Sequence, residues 1–329
     1  MKTTVVILAA GLGTRMKSRR AKVLHQAGGM ALAEHAISAA RAVSDPASMV
    51  VVTGHQAEQV EQLLAPLGVR FARQPEQKGT GHALACCRDV VEKSDLLMVL
   101  YGDTPLLTGA TLARLRDLQA GSNAVATLIA TELDDPGGYG RVIVDDDGNV
   151  SAIVEDKVCT PAQLTIRIVN SGIYCFRADL LWKYLDEVQP NNPAREYYLT
   201  DMAAILATHG HCVRAMQIED STELLGINTR IELAAADRIL RKRKTDELML
   251  SGVTIERPET VAIDAQAHIG MDTVIEPFAR ILGNTQIGED CHIGAGSILE
   301  SCTLADGVTV KPYSVLSDSA IESGAQVGP

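Results

Sequence analysis

The feature that most narrows the fold is a spacing in the C-terminal third. Isoleucine stands at positions 263, 269, 275, 281, 287 and 293, six in succession at an interval of six residues. A helix repeats about every 3.6 residues and a strand every 2, so neither element produces this period. A triangular solenoid does, because each of its three sides stacks one aliphatic residue per coil into a continuous core. The pattern continues more weakly at Ile298, Leu304, Val310 and Leu316, with Val315, Ile321 and Val327 on a shifted register.

The opposite end of the chain obeys another rule. Val5 to Leu8 read as a buried parallel strand, and Ala9, Ala10, Gly11 and Gly13 then let the backbone approach a ligand closely. In open α/β sheets ligands lie beyond the carboxyl ends of the strands, which is where this turn falls. Lys2, Arg15, Lys17, Arg19, Arg20 and Lys22 all precede the first acid, Glu34, in a chain whose formal net charge is −11. A cationic entrance on an acidic protein suits a phosphorylated small molecule; the alternative is a solvated basic loop. Two familiar phosphate motifs are excluded: Met16 stands where a dinucleotide fingerprint needs its third glycine, and no Walker pattern is present.

A length of 329 residues suggests two domains, and 46% hydrophobic residues suffice for a sizeable core. With aromatics at only 3% that core is aliphatic, and together with the net charge this argues against a nucleic-acid surface. Seven cysteines, Cys86, Cys87, Cys159, Cys175, Cys212, Cys291 and Cys302, lack any Cys-x-x-Cys spacing, which suits reduced thiols in the cytoplasm. His209 and His211 lack a third nearby ligand and read as an exposed turn. No apolar run resembles a signal peptide or a membrane span.

Along the chain, helices are expected over residues 31–42 and 56–65 and strands over 49–54 and 69–72, a strand–helix alternation that implies a parallel sheet covered on both faces. Gln74 precedes the turn Gly79-Thr80-Gly81 at a helix start; its amide suits a nucleobase edge, or the stretch is an ordinary loop and cap. The apolar run from Asp95 ends in Tyr101-Gly102-Asp103. If that strand runs parallel to the first, Asp103 emerges beside the glycine turn; otherwise it is a helix cap. From Ser122 short strands and turns suggest a smaller mixed-sheet region, with the acids Asp145 to Asp147 read as a hairpin turn. Asn228 reads as an N-cap for a helix over 229–250, whose cluster Arg238, Arg241, Lys242, Arg243 and Lys244 reads as a solvated face.

Leu-Ala-Ala-Gly-x-Gly-Thr-Arg-Met, with Lys22 seven residues after Arg15, resembles the signature of the sugar nucleotidyltransferases. Ala21 stands where that family has proline. Joined to the hexads, which resemble left-handed hexapeptide-repeat helices, the chain is similar to the bacterial bifunctional N-acetylglucosamine-1-phosphate uridyltransferase and glucosamine-1-phosphate acetyltransferase family, stopped before the acetyl-transfer site. The resemblance implies a Rossmann-like nucleotidyltransferase domain with a mixed sheet over 1–228, a connecting helix over 229–250 and an incomplete left-handed parallel β-helix over 251–329. It implies UTP and N-acetylglucosamine 1-phosphate as substrates and a homotrimer formed through the β-helix. Arg15, Lys22 and Asp103 are then catalytic, and Asp103 and Asn228 hold Mg²⁺. Leu8, Ala9, Ala10, Gly11, Lys22, Tyr101, Gly102 and Asp103 line the nucleotide loop. Gln74, Gly79 and Thr80 surround uracil, while Gly140, Glu155 and Asn170 contact the sugar. The rival readings are another sugar-1-phosphate nucleotidyltransferase, using dTTP or ATP with glucose 1-phosphate, and a silent sugar-nucleotide-binding regulatory subunit.

Overall fold

In the computed structural model, which describes residues 1–329, the first apolar run forms strand β1 (Thr3–Leu8), buried along its whole length. Eight more strands complete its sheet: β2 (Met49–Thr53), β3 (Arg70–Arg73), β4 (Leu96–Tyr101), β5 (Ala126–Glu132), β6 (Arg141–Val144), β7 (Val150–Val154), β8 (Ile168–Arg177) and β9 (Val213–Gln217). The order is β9-β5-β8-β4-β1-β2-β3, with β6 paired to both β8 and β7. Strands β1 to β4 are mutually parallel where they pair, β8 is antiparallel to both β4 and β5, and β9 is parallel to β5. The sheet is therefore mixed, and the expected parallel half is its β4-β1-β2-β3 side.

Successive residues of the central strands enter opposite cores. Val6, Val50, Val52, Leu97 and Val99 join one cluster, whereas Val5, Ile7, Val51, Leu96 and Met98 join the other. Helices α1 (Leu32–Ala40), α2 (Ala57–Leu64) and α4 (Gly109–Ala120) cover the second face, while α3 (Thr80–Ala85), α5 (Ala178–Tyr184) and α6 (Asp201–Thr208) cover the first. Burial on both faces explains why these strands carry unbroken apolar runs rather than alternation. The chain passes from β1 outward to β2 and β3, then returns to place β4 on the other side of β1. That reversal is a topological switch point, and the loops after β1 and β4 flank it. The acids from Asp145 form the β6–β7 turn as read from the sequence: Asp145 Oδ1 accepts from the backbone of Asp147 at 3.0 Å and Asn149 at 2.8 Å.

This sheet and its helices make one compact unit, Met1–His25 with Leu32–Thr229; the second unit comprises Gln26–Ala31 with Arg230–Pro329. In the second, helix α7 (Arg230–Leu250) precedes short parallel strands in three sheets of five, four and four strands. Ile263 aligns with Ile281, Ile269 with Ile287, and Ile275 with Ile293, so three hexads make one 18-residue coil. The fold is a parallel β-helix. A hairpin at residues 26–31 belongs to this unit: the Gly28 N–H donates to Asp237 Oδ1 of α7 at 2.8 Å, and Ala265 N–H donates to Gly28 O at 2.9 Å.

The hexad register needs one correction. Leu299, not Ile298, aligns with Ile281 and is fully buried; beyond it Leu304, Val310, Leu316, Ile321 and Val327 face inward, while Val315 is 70% exposed. Leu299 keeps the interval of six from Ile293, and the interval of five falls after it, at a corner one residue shorter. Three residues, Gly283 to Thr285, separate consecutive strands in one coil, but only Ser301 and Cys302 do so in the next. No helix of the chain is long and apolar enough to cross a membrane.

Candidate functional site

Parallel pairing of β1 with β4 aligns Leu8 with Tyr101, so the glycine turn and Asp103 leave the sheet at the same edge. The Gly102 N–H donates to Leu8 O at 2.9 Å and the Ala9 N–H to Val52 O at 2.9 Å, which anchors the turn to both neighbouring strands. Above this edge four polar side chains converge. Lys22 Nζ makes a short ion pair with Asp103 Oδ2 and donates to Asn228 Oδ1 at 3.1 Å; Arg15 donates to the same Asn228 oxygen at 2.9 Å. The residue expected from local pattern to be a helix cap is thus turned toward two cations.

The loop that carries both cations is braced from outside. Ala21 N–H donates to Gln56 Oε1 at 2.7 Å, and Gln56 Nε2 donates to Arg19 O. Proline at position 21 has no N–H to give. Here a hydrogen bond to Gln56 restrains the loop where the resembled family uses a ring.

Two cavities open on this edge. The first, of about 440 Å³, is lined by Leu8, Ala9, Ala10, Gly11, Lys22, Gln74, Gly79, Thr80, Tyr101 and Asp103 among others. Gly11 has open space where a side chain would begin, so its backbone faces the cavity directly. Gly79 has φ of +103°, and a Cβ there would lie 2.6 Å from Tyr197 O, so this turn requires glycine. Gln74 is buried; its Nε2 donates to Gly79 O at 3.0 Å and meets His82 Nδ1 at 3.0 Å. Both contacts use the amide nitrogen end, which aims the assigned carbonyl end at other partners.

The second cavity, of about 590 Å³, is lined by Gly140, Glu155, Asn170, Tyr198 and Thr200, and shares Thr80 and Tyr101 with the first. Gly140 O accepts from Asn170 N at 2.8 Å across the β6–β8 pairing, which sets these two residues side by side. Glu155 Oε1 accepts from Thr200 Oγ1 at 3.1 Å. Burial pushes the Glu155 carboxyl above its usual range; the Thr200 hydroxyl opposes this and the Asp156 carboxylate adds to it. Burial, with the Glu155 charge behind it, raises Asp201 as well. The Tyr101 hydroxyl is also held far above its ordinary value, first by burial and then by Asp103 and Glu155.

The candidate residues named from sequence therefore fall into three adjoining groups: a cationic cluster, a glycine-walled cavity and a carboxylate-bearing cavity. Gly102 lines neither cavity but packs beneath the turn, where a Cβ would meet Ala9 and Val23 at 3.3 and 3.4 Å. Sequence reasoning missed Gln77, Tyr139, Asp156 and Lys157 as lining residues. They sit next to recognised positions in polar loops, and no periodicity marks them. Another cavity, about 780 Å³ along α7, lies wholly in the second unit and contains none of the candidate residues.

Residues 5–153 match the MobA-like NTP transferase domain, and residues 266–301 match the bacterial transferase hexapeptide repeats. The chain is 55% identical over 304 residues to the bifunctional protein GlmU of Solibacter usitatus, covering 92% of this chain and 65% of that one. It is 43% identical to GlmU of Koribacter versatilis over all of this chain and 71% of that one. The chain thus spans about two thirds of the length of these curated relatives. A putative glucose-1-phosphate thymidylyltransferase from Bacillus anthracis shares the fold, with a TM-score of 0.58 at 20% identity over 72% of this chain and 94% of that one. A transferase domain followed by hexapeptide repeats, matched end to end at this identity, establishes that the chain belongs to the GlmU family of bifunctional proteins.

Proposed function

We propose that the first unit is a UDP-N-acetylglucosamine pyrophosphorylase, which transfers uridylyl from UTP to N-acetylglucosamine 1-phosphate and so supplies a cell-wall and lipopolysaccharide precursor. The observation that carries this reading is the pair of cavities with a common wall, Thr80 and Tyr101, beside a cluster of two cations and two oxygen ligands. One cavity takes the nucleotide, with Gln74, Gly79 and Thr80 around the base; the other takes the sugar, with Gly140, Glu155 and Asn170 on its hydroxyl and amide groups.

In the reaction a phosphate oxygen of the sugar phosphate attacks the α-phosphorus of UTP. The bond from that phosphorus to the β-phosphate bridging oxygen breaks, and pyrophosphate leaves with the electron pair. The nucleophile is already ionised near neutral pH, so the chain need supply no general base. Its task is alignment and charge neutralisation. Arg15 and Lys22 donate to phosphate oxygens, and the Gln56 brace keeps both on one fixed loop.

The donor set at Asp103 and Asn228 fits Mg²⁺. Both contribute hard oxygens, and both oxygens already converge on one positive group, the Lys22 ammonium. No cluster of three His, Cys, Asp or Glu side chains competes for a metal, and Mg²⁺ characteristically completes its shell with phosphates and water. When bound, the ion would supply neutralisation of nucleotide phosphate charge.

The exposed Phe278, Tyr313 and Val315 of the β-helix support assembly as a homotrimer, and the seven free thiols support a reducing cytoplasm. Pyrophosphate release with each of four nucleoside triphosphates tests the reading. UTP with N-acetylglucosamine 1-phosphate should be the preferred pair, and Asp103→Ala or Arg15→Ala should lower turnover by ~10²–10³ with the circular dichroism spectrum unchanged. Equal rates with dTTP and glucose 1-phosphate, or near-normal turnover by either variant, would sink it.

A further inference from the structure

Arg141 is the largest fully buried side chain in the molecule, 2% exposed. A guanidinium removed from water costs several kcal/mol unless its donors are matched, and an apolar residue of similar volume is often the more stable choice. What the arginine does instead is bridge two loops. One nitrogen of its fork donates to Tyr139 O through a short hydrogen bond, and another lies 3.0 Å from Asp156 Oδ1. Its Nε is buried without a partner, so the side chain is held for these two bonds despite an unmatched donor.

The two bridged groups lie on adjoining ends of the β6–β7 hairpin, and both line the second cavity. Tyr139 precedes Gly140, whose carbonyl accepts from Asn170 N, and Asp156 opens the short helical turn Asp156–Val158 directly after Glu155. Arg141 itself does not line the cavity. We propose that Arg141 is a positioning residue for the sugar-phosphate subsite, its fork fixing the strand end that carries Gly140 to the adjoining one that carries Glu155. The inference rests on the reading of this cavity as the sugar's.

Charge strengthens the argument. Glu155 and Asp201 are each disfavoured as an anion first by burial and then by a neighbouring carboxylate, Asp156 for Glu155 and Glu155 for Asp201, and the buried guanidinium provides fixed positive charge at Asp156. Lysine cannot replace it, since a single ammonium lacks the planar fork that reaches a carbonyl and a carboxylate in fixed directions.

The test uses the full chain and three variants. Arg141→Lys keeps the charge and loses the fork. Asp156→Ala, at a partly exposed position, removes the acceptor, and Asp156→Asn restores an oxygen acceptor there. Expected are a KM for N-acetylglucosamine 1-phosphate raised about tenfold or more in Arg141→Lys and Asp156→Ala, as for a lost hydrogen bond to a charged group. The KM for UTP should stay within about twofold, and Asp156→Asn should recover most of the loss. A parallel rise in both KM values, an unchanged sugar KM, or a fall in melting temperature without the split would overturn the role. If Arg141→Lys does not fold, Asp156→Ala decides alone. A wild-type chain with no uridylyl transfer would defeat the functional reading itself; active wild type with no split defeats only Arg141.

Discussion

Adding one methyl group at Gly172 should injure stability and both cavities together. Gly172 lies on β8 at the irregular register between Asn170 and Tyr174, with φ of +79° and its N–H donating to Asn170 Oδ1 at 3.1 Å. A Cβ built there falls 2.1 Å from Tyr101 Cε2, whereas ordinary contact begins near 3.4 Å. The ring, which forms the wall common to both cavities, must therefore move by more than about 1 Å. The left-handed backbone costs an L-residue roughly 1–2 kcal/mol, and overpacking a filled site adds about 1–3 kcal/mol. Gly148 in the β6–β7 turn isolates the first contribution, because it has φ of +77° but nothing within 4 Å of its Cβ position. Gly172→Ala should thus lose about 1–3 kcal/mol more than Gly148→Ala, a melting difference of roughly 2–4 °C for each kcal/mol in a unit of this size. A misplacement of about 1 Å also predicts a loss near 10²-fold in kcat/KM, absent from Gly148→Ala. Equal melting temperatures for the two variants, or full activity in Gly172→Ala, would refute the claim that Tyr101 is immovably packed against this glycine.

Two further outcomes follow from burial. Because the Glu155 carboxyl is raised in the folded state, that state holds its proton at pH values where the unfolded chain has released it. Stability from this group is then fully present below the ordinary carboxylate range and lost as pH rises through the raised value, so Glu155→Gln should melt higher than wild type near neutral pH and equally at pH ~4; a gap that widens toward acid would contradict the sign. In the solenoid, Leu299→Ala should cost about 2–5 kcal/mol in urea unfolding and Ile298→Ala far less, because Leu299 occupies the core position that aligns with Ile281; the reverse order would place Ile298 in the core instead and refute this register.

What the sequence displayed and what it hid divide by range. The hexad period and the apolar runs of β1, β2 and β4 are local consequences of burial, so the solenoid, the parallel half-sheet and the loop after β1 were visible in the residues. Leu299 escaped because the corner after it, Ser301 and Cys302 against Gly283 to Thr285, is one residue shorter, so Leu304, Val310 and Leu316 extrapolate back to Ile298 although Leu299 keeps the interval of six from Ile293. The hairpin at 26–31 escaped for another reason: its allegiance is decided by Asp237 and Ala265, more than two hundred residues away. Asn228 shows the same limit at the site. Local pattern makes it a helix cap, and only the return of the chain to β1 turns its amide oxygen toward Lys22 and Arg15.

The placement of charge follows from the sheet order. A chain of net charge −11 repels a triphosphate and a sugar phosphate from most of its surface, so attraction must be concentrated. The switch point permits that concentration, because β1 and β4 end together and bring a loop with Arg15 and Lys22 over a strand end with Asp103. Asp103 and Asn228 then hold the Lys22 ammonium in place while no phosphate is present, which prevents the flexible side chain from dispersing its charge into solvent. The same two oxygens are of the hard type that suits a divalent ion. Acids, by contrast, gather at the second cavity, where Glu155 and Asp156 are among the lining residues and the buried Arg141 pairs with Asp156. Cationic and acidic groups are thus kept in separate cavities, with Tyr101 lining both.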